Sequence, residues 1–355
     1  MKILLTGIGG SASSNFLDSL RISSLTPTIV GVDSSPEMIT LSTVKDKFLI
    51  PRADDQEFLN DVSNLIDRFD IDVIHLQPDA EVRVVSANRE LFKTGIFLPE
   101  HSAITLASDK ERFAIEMRIF NVPVPISGDG DKKSAFKDTC DQLFSAIPKL
   151  WVRARTGAGS RASLPVSTTE QAVNWVEWWI QEKNLSWQDF QVSEFLPGDE
   201  YALQTIWQGG VLISAEARVR VKYLYGFLSP SGQSSTPSVA RTTSKPEVYE
   251  IGIKAIRALS PNPHGVFCVD MKTDFDGSIK VTEINAGRFF TTSNFFAHAG
   301  VNMPEMSVRA AMGEKLKPLG VGTLGEDLFW IRMVDMGFKL VQREEIESYA
   351  RVRDI

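Results

Sequence analysis

Short apolar runs alternate with longer stretches of helical periodicity over the first hundred residues. The runs have the length of strands and lie at residues 3–6, 28–33, 48–50, 72–76 and 95–98. The stretches between them predict helices, including one that buries Phe16, Leu17 and Leu20 and others near residues 55–69 and 80–93. Strands and helices that alternate in this way form parallel βαβ units, with helices on both faces of one sheet. The sequence therefore predicts an N-terminal α/β domain.

The composition of the 355-residue chain excludes several classes of protein. Its length exceeds what one compact core holds and suggests two or three domains. Its 45 acidic and 38 basic residues leave a net charge of −7, which argues against a nucleic-acid partner. Its two cysteines are too few for a disulfide framework or a four-cysteine zinc site. No apolar run approaches the roughly 20 residues that span a bilayer, so we expect a cytoplasmic protein without a membrane partner.

After Pro99 the pattern changes to helices mixed with antiparallel strands. Residues 109–120 predict a helix, and residues 149–155 and 163–166 predict a hairpin around a glycine-rich turn. Thr168 opens another helix, with capping-box spacing to Gln171. The remaining predictions are strands at 191–196, 200–207 and 211–219, a polar loop at 127–134, and a long surface loop at 229–245. An α+β region therefore follows the α/β domain.

A glycine turn joins the first strand to the first helix. It reads Gly7-Ile-Gly9-Gly-Ser-Ala12, and Asp33 ends the next strand, which is the spacing of a dinucleotide-binding fingerprint. One interpretation is an NAD-dependent oxidoreductase with the pyrophosphate on the helix N-terminus. The other is a tight turn in a Rossmann-like domain that binds no dinucleotide. The turn alone does not decide between them, and the signals further along the chain favour the second.

Two acidic residues are predicted to face each other across a hairpin. Asp276-Gly277 is a preferred centre for a two-residue turn, and that turn places Asp270 directly opposite Glu283. Asn285 then lies on the same face as Glu283. A hard divalent cation would relieve the repulsion between the carboxylates, and these oxygen ligands suit Mg²⁺ bound with ATP. The alternative is a solvated acidic face, which the apolar residues alternating with these acids disfavour.

A glycine-rich segment carries three arginines. It reads Arg153-Ala-Arg155-Thr-Gly157-Ala-Gly159-Ser160-Arg161, in which the glycines let the backbone close over phosphates and the arginines balance their charge. It is not a Walker A motif, because the chain has no GxxxxGK[ST] sequence. The alternative, an ordinary hairpin turn, would not usually need three arginines. We therefore predict a phosphate-binding loop here.

Together with the strand–turn–strand Ser193-Glu-Phe-Leu-Pro-Gly-Asp-Glu200, these motifs resemble the ATP-grasp superfamily. The resemblance covers nearly the whole chain and is strongest to the carboxylate–amine ligases that are similar to carbamoyl-phosphate synthase. It implies a Rossmann-like pre-ATP-grasp domain followed by a two-subdomain ATP-grasp fold, α/β and α+β in class. The implied domains are 1–107, a small lid subdomain at 108–192, a subdomain with the metal site at 193–315, and a C-terminal extension at 316–355 that packs on the core.

The resemblance also implies how the nucleotide is bound. Lys110 would contact an ATP phosphate, because Asp109-Lys110 matches the start of a helix typical of the superfamily. Arg153 stands where most relatives have a phosphate-binding lysine. The flexible loop over the triphosphate would contain Thr156, Gly157, Gly159, Ser160 and Arg161. The hinge that binds adenine through its backbone would be Glu194, Phe195 and Leu196, and Glu200 would bind the ribose.

For the metal and the reaction, the resemblance implies a second group of residues. Asp270, Glu283 and Asn285 match the metal-binding positions. Arg288 resembles the arginine that ends the family's Asn-Pro-Arg motif, displaced by one residue. Arg218 and Arg220 match a basic strand that precedes the substrate loop, and Arg220 is the better candidate. Arg153, Arg220 and Arg288 would be the catalytic residues, because they would stabilise the transferred phosphoryl group and the acyl phosphate.

The activity that the resemblance implies is that of an ATP-dependent ligase. ATP would phosphorylate a small carboxylate, and an amine would displace phosphate to form an amide or peptide bond, with release of ADP and phosphate. The cofactors would be ATP and two Mg²⁺ ions, with Mn²⁺ as an alternative metal. The partners would be small-molecule carboxylate and amine substrates, and a homodimer is one option for the assembly. A non-catalytic module that binds ATP or ADP is a further alternative to the NAD-dependent oxidoreductase.

Overall fold

The structure of the chain is a computed structural model that describes residues 1–155, 162–228, 231–232, 236–334 and 337–344. Within these ranges the chain forms three β-sheets, of five, eight and four strands. The five-stranded sheet is parallel, whereas the other two consist of antiparallel neighbours apart from one short parallel pair. Among the described helices, none is long and apolar enough to cross a membrane. The mixed α/β and α+β class predicted from the sequence is confirmed.

The N-terminal region is an α/β unit whose strands lie in the order β3-β2-β1-β4-β5. Its elements are β1 Lys2–Thr6, α1 Ser11–Arg21, β2 Thr28–Asp33, β3 Asp46–Leu49, α2 Phe58–Phe69, β4 Val73–His75, α3 Asp79–Ala87 and β5 Gly95–Ile96, with short 3₁₀ helices at Met38–Leu41 and Arg89–Leu91. Four consecutive residues of the central strand β1 are buried, as expected for a strand covered on both faces. The predicted alternation of strand and helix is therefore confirmed.

Two helices, α4 His101–Ser108 and α5 Lys110–Ile119, lead into the four-stranded sheet. Its elements are β6 Ser127–Asp129, α6 Lys133–Phe144, β7 Leu150–Ala154, β8 Leu164–Val166, α7 Thr169–Lys183, a 3₁₀ helix Trp187–Asp189 and β9 Phe190–Glu194, in the strand order β6-β9-β7-β8. The predicted hairpin of β7 and β8 is confirmed. The Thr168 side chain accepts a hydrogen bond from the Gln171 N–H at 3.2 Å, as the capping signal predicted.

The eight-stranded sheet holds the rest of the described chain. Its elements are β10 Glu200–Gln208, β11 Val211–Tyr223, a 3₁₀ helix Gly226–Leu228, β12 Pro237–Thr242, α8 Pro246–Leu259, β13 Gly265–Thr273, β14 Ile279–Ala286, α9 Asn294–His298, α10 Met303–Ala311, β15 Gly320–Val321, β16 Leu328–Met333 and β17 Gly337–Gln342. The strands lie in the order β14-β13-β10-β11-β12-β16-β17, and β15 pairs with β11. Apolar residues of this sheet, of α8 and of the N-terminal sheet form one continuous buried cluster. The core therefore joins the two sheets.

Two of the predicted loops contain regular structure. Residues 127–134 were predicted as a loop, but β6 pairs with β9 and α6 begins at Lys133. The long surface loop predicted at 229–245 is wrong in its second half, because β12 lies between β11 and β16. Its polar composition hid a strand whose inward residues are small or polar: Ala240 and Thr242 are buried. Large apolar residues from neighbouring elements, Phe295, Phe296 and Trp330, pack against Ala240.

The hairpin of β13 and β14 confirms one prediction and corrects the reason for it. Asp270 does lie directly opposite Glu283. The turn, however, is not the two-residue one, because the Asp274 N–H donates to the Ser278 carbonyl at 3.0 Å and leaves a three-residue loop with Gly277 at φ +83°. That loop shifts the outer pairs by one residue, and a bulge at Thr282 shifts them back. The shift from the three-residue loop and the shift from the bulge cancel, so Asp270 and Glu283 face each other.

Candidate active site

A cavity of about 590 Å³ lies where the three sheets meet. Its walls contain every described residue that the sequence singled out for the site: Lys110, Arg153, Glu194, Phe195, Leu196, Glu200, Arg220, Asp270, Glu283, Asn285 and Arg288. The predicted loop residues Thr156, Gly157, Gly159, Ser160 and Arg161 lie outside the described residues. The fold therefore brings Lys110 and Arg288, 178 positions apart in the sequence, into one space.

Asp270, Glu283 and Asn285 form an oxygen-rich patch on β13 and β14. The Asn285 Nδ2 donates to Asp270 Oδ2 at 3.3 Å, and Arg220 Nη2 lies 2.5 Å from Asp270 Oδ1 in an ion pair. This ion pair is the contact that balances the buried Oδ1 within the described part of the chain. Burial raises the pKa of Asp270 to about 7, and the charge of Arg220 opposes that rise. Asp270 therefore lacks full compensation from the protein.

The donor set suits a hard divalent cation such as Mg²⁺. It offers two carboxylates and one amide oxygen, and burial leaves the Asp270 carboxylate short of compensating charge, which a cation would supply. Within the described ranges there is no cluster of three or more acidic, histidine or cysteine side chains that could hold a metal alone. A cation held by these three side chains would have coordination positions left for other oxygens, such as those of phosphates.

Arg220 and Glu200 belong to a buried network beside this patch. Arg220 Nη1 donates to Glu200 Oε1 at 2.7 Å, and the Tyr223 hydroxyl donates to the same oxygen. The Lys272 Nζ lies 3.8 Å from the other oxygen of Glu200. Despite burial, the nearby carboxylates hold the pKa of Arg220 well above its usual value. Glu200, predicted to bind the ribose, is therefore already paired with two cations.

Lys110 and Arg153 form a basic wall on the side of the four-stranded sheet. Asp109 caps α5 by accepting from the N–H groups of Glu111 and Arg112, and this cap orients the first turn, which carries Lys110. Burial lowers the pKa of Lys110 and of Arg153, while the charge of Glu283 raises both. The Arg153 guanidinium contacts the Gln191 side-chain oxygen at 3.3 and 3.4 Å. An anion entering the cavity would meet both cations.

Arg155 does not join this wall, although the sequence grouped it with the phosphate loop. Its guanidinium forms ion pairs with three carboxylates, those of Asp109, Glu111 and Asp129. It is also not among the residues that line the cavity. These ion pairs balance its charge and join α5 to the start of the four-stranded sheet. The number of arginines in the segment therefore did not indicate how many of them line the cavity.

The predicted adenine hinge connects two of the sheets. The Glu194 carboxylate contacts Lys280 Nζ at 2.6 and 2.8 Å, which ties β9 to β14. The Phe195 ring lies 4.7 Å from Lys149 Nζ and 5.9 Å from Lys272 Nζ. Leu196 is buried next to it. The Phe195 ring and Leu196 give this part of the cavity an apolar wall, which suits a flat aromatic ligand.

The N-terminal domain contributes residues that sequence reasoning missed. Asp79 forms an ion pair with Arg288, and the Arg288 Nη2 also donates to Asn285 Oδ1 at 2.6 Å. Gln77 is buried on the cavity wall, and neither atom of its side-chain amide has a partner in the described part of the chain. Gln77 and Asp79 both follow β4, and β4 lies next to β1 at the point where the strand order reverses. Ligands of parallel sheets bind at such a point, so this signal was available from the sequence.

The glycine turn also borders the cavity, but its acid is occupied. Asp33 accepts hydrogen bonds from the Gly9 N–H at 2.8 Å and from the Ser35 N–H at 2.9 Å. A Cβ at Gly9 would lie 2.4 Å from the Met38 backbone, so the chain itself fills that side of the turn. The residue that a dinucleotide fingerprint would use for ribose thus stabilises the turn. This geometry favours the interpretation without a dinucleotide.

Comparison with known proteins identifies the fold. No family model and no curated protein matches the chain. Among solved structures, it is similar to the biotin carboxylase domain of 2-oxoglutarate carboxylase from Hydrogenobacter thermophilus, in complex with MgADP, ADP and bicarbonate (16% identity, TM-score 0.69, 93% of this chain and 73% of that chain). It is also similar to carboxyaminoimidazole ribonucleotide synthase from Aspergillus clavatus with ATP (14%, 0.66, 93% and 81%) and to L-amino acid ligase from Bacillus licheniformis (14%, 0.68, 93% and 78%). These likenesses extend over nearly the whole chain and show that it has the ATP-grasp fold.

Proposed function

We propose that the protein is an ATP-dependent ligase that activates a small carboxylate as an acyl phosphate and joins it to an amine. The observation that carries the proposal is the single cavity in which the oxygen donors of Asp270, Glu283 and Asn285 face the basic wall of Lys110 and Arg153. Phosphates and a divalent cation need such an arrangement together. The structural neighbours support it, since two of them hold ATP or MgADP and another is an L-amino acid ligase.

The reaction needs no protein nucleophile. A carboxylate oxygen of the acid attacks the γ-phosphorus of ATP, and the bond from that phosphorus to the β–γ bridging oxygen breaks, which releases ADP. The amine nitrogen attacks the acyl carbon and loses a proton to solvent, and the carbon–oxygen bond to phosphate breaks with its electron pair. The protein lowers both barriers by holding the reactants together and neutralising charge.

The residues of the site have the following proposed roles in this reaction. Lys110 and Arg153 bind the phosphates, together with the segment from Thr156 to Arg161. Phe195 and Leu196 cover the adenine, with Glu194 holding their strand, and Glu200 contacts the ribose. Arg220 and Arg288 stabilise the transferred phosphoryl group. Asp270, Glu283 and Asn285 would hold two Mg²⁺ ions, or Mn²⁺, which would supply further neutralisation of the phosphate charge.

The proposal extends to the domain boundaries, the localisation and the assembly of the protein. The proposed domain boundaries are those expected from the sequence, at residues 107, 192 and 315. Cytoplasmic localisation suits an enzyme that consumes ATP. A homodimer is the proposed assembly, because the Hydrogenobacter structure is described as a domain dimer. Light scattering on the purified protein tests the assembly directly.

Two measurements test the proposal. The first is thermal shift with Mg-ATP and with NAD, in which we expect stabilisation by Mg-ATP and none by NAD. Stabilisation by NAD alone would overturn the proposal in favour of the oxidoreductase. The second is release of ADP during incubation with pairs of amino acids and small carboxylic acids. Binding of Mg-ATP without ADP release from any pair would favour the non-catalytic module instead.

A further inference from the structure

Among the residues that the structure describes, four arginines line the cavity, and they differ in how their charges are balanced. Arg220 is paired with Asp270 and Glu200, and Arg288 is paired with Asp79. Arg153 contacts the side-chain amide of Gln191 and belongs to the phosphate wall. Arg218 has no carboxylate within 4 Å among the described residues. Its Nη1 donates to the Thr292 carbonyl at 3.4 Å, and its Nε has no acceptor in the same part of the chain.

Arg218 is also the most enclosed of these charges, with only 1% of its surface exposed. Its guanidinium lies over the rings of Phe290 and Phe296, at 5.0 and 5.3 Å from their centroids. Ring faces compensate a cation only in part. Burial and the neighbouring Arg220 lower the pKa of Arg218 to about 9, so the group stays charged at neutral pH. The charge of Asp270 acts on Arg218 only from beyond contact distance. A buried charge that no counter-ion contacts is costly, which indicates that an anion from outside completes this site.

The surroundings show where that anion would bind. Arg218 and Arg220 are two residues apart on β11, so both side chains lie on the face toward the cavity. Arg218 pairs across the sheet with Ala202, and Ala202 pairs with Asp270, so the arginine is two strands from the metal patch. The Thr292 carbonyl accepts from Arg218, and the buried hydroxyls of Thr292 and of the adjacent Ser293 have no partner within the described ranges.

We propose that Arg218 binds a carboxylate of the small-molecule substrate, at a place separate from the phosphates of the nucleotide. A single negative charge balances one guanidinium, and the planar carboxylate matches its fork. A phosphate dianion would add a second negative charge close to Asp270. The site therefore suits a substrate that has a carboxylate besides the one that is phosphorylated, which is a dicarboxylic acid or an amino acid that supplies the amine. This inference deepens the proposed function and rests on it for the statement that the bound acid is a substrate.

The test compares carboxylate binding in wild type and in two variants. Arg218→Met keeps the packing between the two phenylalanine rings and removes the charge, whereas Arg218→Lys keeps the charge and removes the fork. The probes are L-alanine, L-glutamate and succinate, with L-alaninamide and inorganic phosphate as comparisons, titrated by calorimetry with and without Mg-ATP. Arg257→Met is the matched control, because Arg257 also lies over an aromatic ring, that of Trp207, but is exposed on α8 outside the cavity.

We expect at least one carboxylate probe to bind the wild type more tightly than its neutral or phosphate comparison. Arg218→Met should weaken that binding by about tenfold or more, the scale of losing a charged hydrogen bond. Arg218→Lys should weaken it less, and Arg257→Met should not change it. The melting temperature of ligand-free Arg218→Met should equal or exceed that of wild type, because an uncompensated charge has been removed. All variants should retain the response to Mg-ATP.

Three results would overturn the inference. One is unchanged carboxylate affinity in Arg218→Met. Another is the absence of any carboxylate binding to the wild type. The third is loss of the Mg-ATP response in Arg218→Met, which would assign Arg218 to the nucleotide and leave the ligase proposal standing. Failure of the wild type to respond to Mg-ATP would instead contradict the proposed function, and the carboxylate titrations would still report on Arg218 alone.

Discussion

Asp33 and Asp270 are two buried acids in the same region of the molecule, but their carboxylates have different kinds of partners. They are equally buried, at 9% and 8% exposure. Asp33 accepts hydrogen bonds from two backbone N–H groups, those of Gly9 and Ser35. Asp270 contacts only side chains, the guanidinium of Arg220 and the amide of Asn285. Backbone donors cannot leave without unfolding the turn, whereas side chains can rotate away when a ligand arrives. The partners of a buried acid, more than its burial, therefore indicate whether it can bind a ligand.

The largest effect that would test this difference is expected for Glu283→Gln. The change removes one negative charge opposite Asp270 and keeps the size of the side chain. Turnover in the ADP-release assay should fall by at least about 10²-fold, the scale of losing one charge-stabilising group. Ligand-free stability should match or exceed that of wild type, because the repulsion across the hairpin is relieved. Stabilisation by Mg-ATP should shrink.

The control for Glu283→Gln is Glu250→Gln, which removes an exposed carboxylate from α8. It should leave turnover and the Mg-ATP response unchanged. Near-wild-type turnover of Glu283→Gln, with full stabilisation by Mg-ATP, would mean that the acids of β13 and β14 hold no metal. The difference between the partners of Asp33 and Asp270 would then say nothing about ligand binding.

A second, smaller effect concerns Glu81, which lies behind the glycine turn. Burial raises the pKa of Glu81 from 4.5 to about 7, the Thr6 hydroxyl opposes that rise, and the charge of Asp33 adds to it. The folded state thus keeps a proton that the unfolded chain releases, so stability is greatest below about pH 4.5 and falls until about pH 7. Glu81→Gln should unfold with a free energy roughly 1–3 kcal/mol higher than wild type at pH 8.

Urea denaturation of both proteins at pH 5 and pH 8 measures this effect, and the advantage of Glu81→Gln should shrink at pH 5. An advantage that is equal at the two pH values would show that Glu81 does not titrate in the folded state. The negative charge near the glycine turn would then have to come from a group other than Glu81.

The smallest effect is expected for Asp33→Asn. The amide retains one acceptor oxygen but loses the charge and the second acceptor, so one N–H of the turn loses its partner. The free energy of unfolding should fall by about 1–2 kcal/mol. Turnover and the affinity for Mg-ATP should not change, because the carboxylate contacts only the turn. A large loss of turnover with normal stability would show that Asp33 binds a ligand after all.

Local signals in the sequence predicted much of the site because each was a property of one strand or one turn. The helix that begins near Asp109 and the arginine-rich segment that begins at Arg153 were predicted from neighbouring residues. The oxygen patch needed one hairpin, and it was found even though the turn was misjudged. In contrast, α6 was missed because its buried face is short: only Phe136 and Cys140 are fully enclosed.

The balance of charges could not be predicted in the same way. Arg218 and Arg220 have the same alternation along β11, so the sequence treats them alike. Their difference arises from the register with β10, which sets Glu200 opposite Arg220 and Ala202 opposite Arg218. A third strand, β13, then brings Asp270 to Arg220. Such partnerships depend on three strands at once, and the favoured catalytic arginine proved to be the one whose charge is already balanced.

The bulge at Thr282 gives the hairpin a practical use. Because the bulge absorbs a one-residue shift, the tip around residues 275–277 can be altered without moving Asp270 or Glu283. Phe275 is 56% exposed there, and both natural cysteines, Cys140 and Cys268, are buried thiols whose pKa burial raises to about 12. A Phe275→Cys variant would thus accept one thiol-reactive dye at a single known place. The hairpin that carries the acids then becomes a built-in attachment point for fluorescence reporting of ligand binding.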